Sequence, residues 1–249
     1  MENIKALGSP EVKEALAKYS HYLVEARKKI IFTLIVFVLA TFVGFFFYEQ
    51  IIKFLVDFLS LTGINIVFTS PFQFINLAIS CGVATGIIFS FPLLVFQIMS
   101  FLKPALRGKE YKMIMRLLPF SLILFALGFS FGVFIMKWQV QIFLSRAVSI
   151  GIGNILDISK LLSVVLLTSA LMGIGFQFPI LLLLLLRIGL ITNGQLRKIR
   201  KWVYLGSFVF ALLLPPDSIL ADVLLSLPLI ILYEITLILD RTFDGHRLT

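Results

Sequence analysis

Polar residues open the chain at Met1–Lys29, and from Ile30 onward the sequence runs in apolar blocks separated by short charged stretches. A bilayer core about 30 Å thick needs roughly 20 apolar residues of helix to cross it. Four blocks approach or exceed that length: Ile30–Tyr48, closed by Glu49; Phe74–Leu102, containing Gly82, Gly86 and Pro92; Met113–Lys137, with Arg116 and Pro119 in its first turns; and Ile158–Ile191. The last runs for about 34 residues, so it must tilt, kink or project from the membrane. After a basic loop, Thr192–Lys201, come Trp202–Leu214 and Ile219–Leu239. Between them Pro215-Pro216-Asp217-Ser218 forces a turn, because two adjacent prolines offer the backbone no donor. The pattern predicts an all-α polytopic membrane protein with six transmembrane helices in one membrane domain over residues 1–249. Residues 1–29 are expected to form a cytoplasmic amphipathic tail and 240–249 a short cytoplasmic end.

The last two helices are short. Trp202–Leu214 covers about 20 Å at ~1.5 Å per residue, and the ion-free stretch between Asp222 and Glu234 covers only about 16 Å. Two such neighbours predict a locally thinned bilayer, unless tilt and snorkelling hide the mismatch. No internal repeat is visible, which speaks against an inverted-repeat secondary transporter.

Composition supports the membrane assignment. Of the 249 residues 59% are hydrophobic and 14% charged, with a mean hydropathy of +1.04, against about 45–50% apolar and about 25% charged in soluble domains. That much apolar surface cannot fit inside one core of this size. Met1–Lys29 is not a cleavable signal peptide, since it carries Glu2, Glu11 and Glu14 and no apolar core. A single cysteine, Cys81, excludes an intramolecular disulfide and a cysteine-based metal site, and reads as a packing residue.

The net charge of +9 would suggest nucleic acid in a soluble chain; here it sets topology. Eighteen lysines and arginines lie before the first helix, between the second and third, around the fourth-to-fifth loop and at the end. Only Lys53, Lys137, Arg146 and Lys160 lie on the opposite side. Both termini are therefore expected in the cytoplasm.

Chemistry is sparse. His21 and His246 lie outside the apolar blocks, and no HExxH or GxSxG motif occurs. An intramembrane hydrolase would need such a constellation at membrane depth. No catalytic residue, metal site or cofactor is expected, and nucleic acid is not an expected partner. The informative residues are polar ones in apolar surroundings. Gln177, in Gly173-Ile-Gly-Phe-Gln-Phe-Pro179, sits near mid-membrane, either bonding a neighbouring helix or serving a polar function in a cavity. Pro179 cannot donate to the Gly175 carbonyl, so a bend is predicted there. Glu234 must pair, snorkel or be protonated, and a basic loop residue is the expected partner. Glu25 has an ordinary account as an i,i+4 partner of Lys29, and Glu110 as an acid at the start of the third helix. From composition alone these ordinary accounts are favoured, though two carboxylates at one membrane face could also receive a guanidinium, which they accept bidentately.

Four blocks in register resemble the TatC family, the receptor subunits of twin-arginine protein translocases. They are Leu23-Val-Glu25-Ala-Arg27 before the first helix; Pro92 to Leu106 followed by Glu110; Gly173 to Pro179; and Pro215-Pro-Asp217 with Pro228 and Leu232-Tyr-Glu234. Tyr22 stands at a position commonly histidine in that family, Ala26 at a leucine, Gln177 where many bacterial members have glutamate, and Asp222 where an uncharged polar residue is common.

The resemblance implies a concave, glove-like bundle whose cytoplasmic rim binds the twin-arginine signal peptides of folded export substrates. Glu25 and Glu110 would take the arginine pair, with Phe101, Pro104 and Leu23 shaping the site. TatA/TatB-type single-span proteins would pack at the final hairpin, at Pro215, Pro216, Asp217 and Asp222. The resemblance further implies a bacterial plasma membrane location, a homo-oligomer within a larger complex, and the proton-motive force as energy source. The competing reading is a small-solute secondary transporter or the membrane subunit of an importer, which would converge ionisable residues at mid-membrane.

Overall fold

The computed structural model describes the backbone of residues 10–59, 65–67, 70, 72–101, 108–149, 155–215 and 218–244. Within these, the side chains of 10–23, 65–67, 101, 108–117, 148, 155–156, 187–188 and 240–244 lie outside the description. Nine helices and two short strands are present among the described residues: α1 Pro10–Phe46, α2 Tyr48–Phe58, β1 Asn65–Val67, α3 Gln73–Phe101, α4 Gly108–Ser149, β2 Ile155–Asp157, α5 Ile158–Gly175, α6 Phe178–Ile188, α7 Asn193–Lys198, α8 Arg200–Leu212 and α9 Ile219–Asp244. Among the described residues five spans, in α1, α3, α4, α5 with α6, and α9, are long and apolar enough to cross a membrane. The shorter α8, packed against α9, supplies the sixth expected transmembrane element.

Several boundaries differ from the sequence expectation. The first helix begins at Pro10 rather than Ile30, so residues 10–29 continue the same helix, of which Val24–Phe46 is apolar enough to cross a membrane. The third predicted helix, α4, runs to Ser149 rather than Lys137; its 42 residues reach about 63 Å, so it projects beyond a ~30 Å core. The long fourth block breaks as predicted. α5 ends at Gly175, a turn passes through Phe176 and Gln177, and α6 restarts with Pro179 in its first turn, where its missing N–H costs nothing. Gly189, with φ of 79°, then ends α6: its N–H bonds Leu186 O and that of Leu190 bonds Leu185 O, a Schellman closure that a side chain would strain. The loop expected at 192–201 holds α7, started by a capping box in which the side chains of Thr192 and Gln195 exchange bonds with each other's backbone N–H.

The segment between α1 and α3, read from sequence as a loop, contains α2. Its residues Ile51, Ile52, Leu55 and Val56 share one helical face and pack with Leu59 into an apolar core with Leu77, Cys81, Met136, Leu162 and Val165. Its opposite face shows Phe54 and Phe58, stacked at 6.3 Å. Nearby, β1 and β2 pair in parallel from Asn65↔Ile155 to Val67↔Asp157. Asp157 also caps α5, accepting the Lys160 N–H at 3.1 Å and the Gln73 side-chain amide at 2.7 Å. Ser159 donates to the Gln73 carbonyl, so the starts of α3 and α5 are tied together at this end.

Neighbouring helices form a wall in the order α1, α3, α5 with α6, α9 and α8, and α4 packs against α5 and α3 from behind. Glycines set the closest approaches. A Cβ on Gly82 would lie 2.7 Å from the Thr41 carbonyl, and one on Gly86 would overlap the Thr41 hydroxyl, so α1 and α3 meet nearly backbone to backbone. Gly128 and Gly132 do the same for α4 against Met172 and Ser169 of α5.

The final hairpin corrects the thinning argument in part. α8 is 13 residues, about 20 Å, as expected. In α9, however, Asp222 is only 5% exposed and does not interrupt the lipid-facing side. Ile219, Leu220, Val223, Leu227, Ile231, Ile235 and Leu239 keep that side apolar over about 30 Å. The short element is α8 alone.

Candidate functional site at the basic face

The inner end of α1 carries Glu25-Ala-Arg-Lys-Lys29 in helical geometry, which places residues 25 and 29 one turn apart on one side. Glu25 Oε1 and Lys29 Nζ are 2.7 Å apart, the i,i+4 pair read from sequence. Arg27 and Lys28 are exposed, while Lys29 turns inward and also donates to Ser100 Oγ on α3 at 3.4 Å. One turn deeper, the Thr33 hydroxyl donates to Gln97 Oε1 at 2.6 Å. Polar contacts thus join α1 to α3 at this end, where glycines join them further out.

Beside these contacts the surface opens into apolar clefts. A cleft of about 620 Å³ lies between α1 and α3, lined by Lys29, Ile30, Thr33, Phe37, Leu94 and Ile98 among others. A second, of about 570 Å³, lies between α3, the α5–α6 bend, α8 and Leu229 of α9. Leu94 and Ile98 border both, so the two clefts adjoin at these side chains and make an apolar trough in two parts, the first bordered by Lys29 and the second by Gln177 at the bend.

Gln177 stands at the trough's deep end and is 8% exposed. Its Oε1 accepts from Ser121 Oγ at 2.6 Å and its amide donates to the Ser121 carbonyl at 3.0 Å. The interhelical bonding expected of it is therefore present, between the bend and α4, at a position that also borders the cleft. At the other edge Glu234 meets a residue of the basic loop: Arg200 Nη2 lies 2.9 Å from Oε2, and the Tyr204 hydroxyl 2.5 Å from Oε1. Arg200 and Tyr204 are one turn apart on α8, so both reach the same carboxylate on α9. Tyr233, fully buried, donates to the Leu196 carbonyl at 2.7 Å and fixes α7 to the same corner.

Among the other sequence candidates, Pro215 is half-buried at the turn after α8. The side chains of Leu23, Phe101 and Glu110, and residues Pro104, Pro216 and Asp217 altogether, lie outside the described residues. The structure places Glu25 at the rim beside the first cleft, Gln177 on the second, and Glu234 and Asp222 on the flanking hairpin. Gln97, Ser121, Arg200 and Tyr204 were not singled out from sequence. Gln97 and Ser121 carry the same signal as Gln177, a polar side chain in an apolar helix, and that signal was available for both.

This build is that of a helical, multi-pass integral membrane protein with a one-sided concave face beneath a charged rim. The family model for the Sec-independent protein translocase protein TatC matches residues 21–228. The TatCy protein of Bacillus subtilis is 30% identical over 88% of this chain and 87% of its own length, and the TatC of Listeria innocua 33% identical over 88% and 89%. A crystal structure of the twin-arginine translocase receptor TatC in DDM superposes with a TM-score of 0.78 at 29% identity, covering 88% of this chain and 98% of that one. The chain belongs to the TatC family of protein translocase subunits.

Proposed function

We propose that this chain is the core receptor of a twin-arginine translocase and reads the signal peptide at the α1–α3 rim. Glu25 takes an arginine of the pair, with Glu110 as the second carboxylate and Leu23, Phe101 and Pro104 shaping the mouth. A guanidinium is always charged and presents a planar fork, so carboxylates can tell it from an ammonium. The apolar part of the signal peptide then lies in the trough toward Gln177. TatA/TatB-type single-span helices dock on the lipid face of α8 and α9 near the turn at Pro215, Pro216 and Asp217, while Asp222, expected there from sequence, is buried within the bundle and cannot touch them directly; the receptor acts in several copies in a complex driven by the proton-motive force.

The observation that carries this reading is the pair of adjoining apolar clefts next to the rim. An arginine held at Glu25 would sit beside Ala26 and Lys29, which line the first apolar cleft, and Leu94 and Ile98 of that cleft also border the second. The test places a photocrosslinker at position 25 or 110 in the membrane-embedded receptor and adds a twin-arginine signal peptide. Crosslinks to residues at or next to the arginine pair are expected at both positions. Crosslinks only to the peptide's apolar stretch, or none, would remove the assignment.

A further inference from the structure

Three cations stand in sequence at the inner end of α1, and they are not equivalent. Arg27 and Lys28 face solvent; Lys29 is turned into the mouth of the trough, its side chain 23% exposed, and sits 2.7 Å from Glu25. The carboxylate assigned above to the incoming arginine is therefore already engaged by a cation of the chain itself. Resting on that assignment, we propose that Lys29 is a built-in competitor that the signal peptide's arginine must displace, and that it sets the affinity threshold of the site.

The chemistry gives the competition a direction. An ammonium is a point charge that satisfies one carboxylate oxygen at a time, whereas a guanidinium fork can bond both. Arginine can therefore gain over the resident lysine. A peptide lysine exchanges one ammonium for another and gains almost nothing. The displaced side chain has somewhere to go: Ser100 Oγ already lies 3.4 Å from its Nζ, and Gln97 is one helical turn deeper on α3. Its four-carbon stem lines the trough throughout, so the apolar wall survives the exchange.

Two substitutions pull in opposite directions, which a merely structural lysine would not produce. Binding of a twin-arginine peptide to the purified full-length receptor in nanodiscs is compared for wild type, Lys29→Gln and Lys29→Arg, each with Glu25 intact and with Glu25→Gln. Lys29→Gln removes the competitor and is expected to tighten binding about two-fold, the size of an i,i+4 pair on a helix. Lys29→Arg supplies a competitor with the ligand's own fork and is expected to weaken binding about two-fold or more. Both effects should vanish when Glu25 is glutamine. If both variants shift binding in the same direction, or leave it unchanged, while Glu25→Gln weakens it, the competitor is overturned and the rim assignment stands. If Glu25→Gln leaves binding unchanged, the rim assignment fails and the competitor with it.

Discussion

The outer and inner halves of this bundle are built from the same helices and differ in what joins those helices. Toward the outer end, Gly82 and Gly86 bring α3 against Thr41 of α1, α2 folds its apolar face onto the core around Leu77 and Leu162, and β1 with β2 closes the end over Gln73 and Asp157. Toward the inner end the same α1 and α3 are held by Lys29–Ser100 and Thr33–Gln97, and the trough opens between them. Small residues let backbones pack on one another, whereas at the inner end side-chain hydrogen bonds link the same two helices beside a cleft.

Glycine substitutions separate the two halves most sharply. Gly86→Ile forces its side chain into Thr41 and Phe37, and the receptor in detergent is expected to lose roughly 3 kcal/mol or more, read as a large fall in Tm. Gly206 borders the trough, and nothing lies within 4 Å of the place its Cβ would take. Gly206→Leu should therefore leave Tm unchanged or raised, since glycine disfavours helix by about 1 kcal/mol relative to good helix formers. It should instead weaken signal-peptide binding about ten-fold, by denying the ligand about 1.5 kcal/mol of apolar contact. A matching Tm loss at both glycines would erase the distinction between closed and open halves. The smallest effect belongs to Gln177→Leu. Interhelical hydrogen bonds in membranes average about 0.6 kcal/mol, so a slight Tm decrease with peptide binding retained is the expected outcome. Normal assembly and binding but arrested transport would instead give Gln177 a role in advancing the substrate.

Much of this was legible in the sequence, and for identifiable reasons. Block length and the lysine–arginine distribution are one-dimensional signals, and they yielded the spans and the short α8. The break at Gln177–Pro179 was equally local, because a missing N–H acts on its own helix. α2 escaped notice because eleven residues with Glu49, Lys53 and Asp57 on one side look like a loop to any search for apolar runs. β1 and β2 pair across about 90 residues, and three-residue strands carry no period to read. Asp222 looked like an interruption of α9 because sequence does not show which way a side chain turns. Lys29 was legible as the partner of Glu25, yet its inward turn against Ser100 depends on where α3 passes.

The central claim is that a carboxylate at the inner rim recognises an arginine of the ligand. Its most direct test is a double-mutant cycle in signal-peptide binding: wild-type or Glu25→Gln receptor against peptides bearing the arginine pair or two lysines. A hydrogen bond to a charged group contributes about 1.5–3 kcal/mol, and the 43% exposure of the Glu25 side chain places this one near the lower figure. Glu25→Gln is then expected to weaken arginine-peptide binding roughly ten-fold, and to reduce what the lysine substitution costs by most of that factor, since groups in contact couple. Strictly additive losses across the four combinations would contradict the account and return Glu25 to a helix-end charge paired with Lys29.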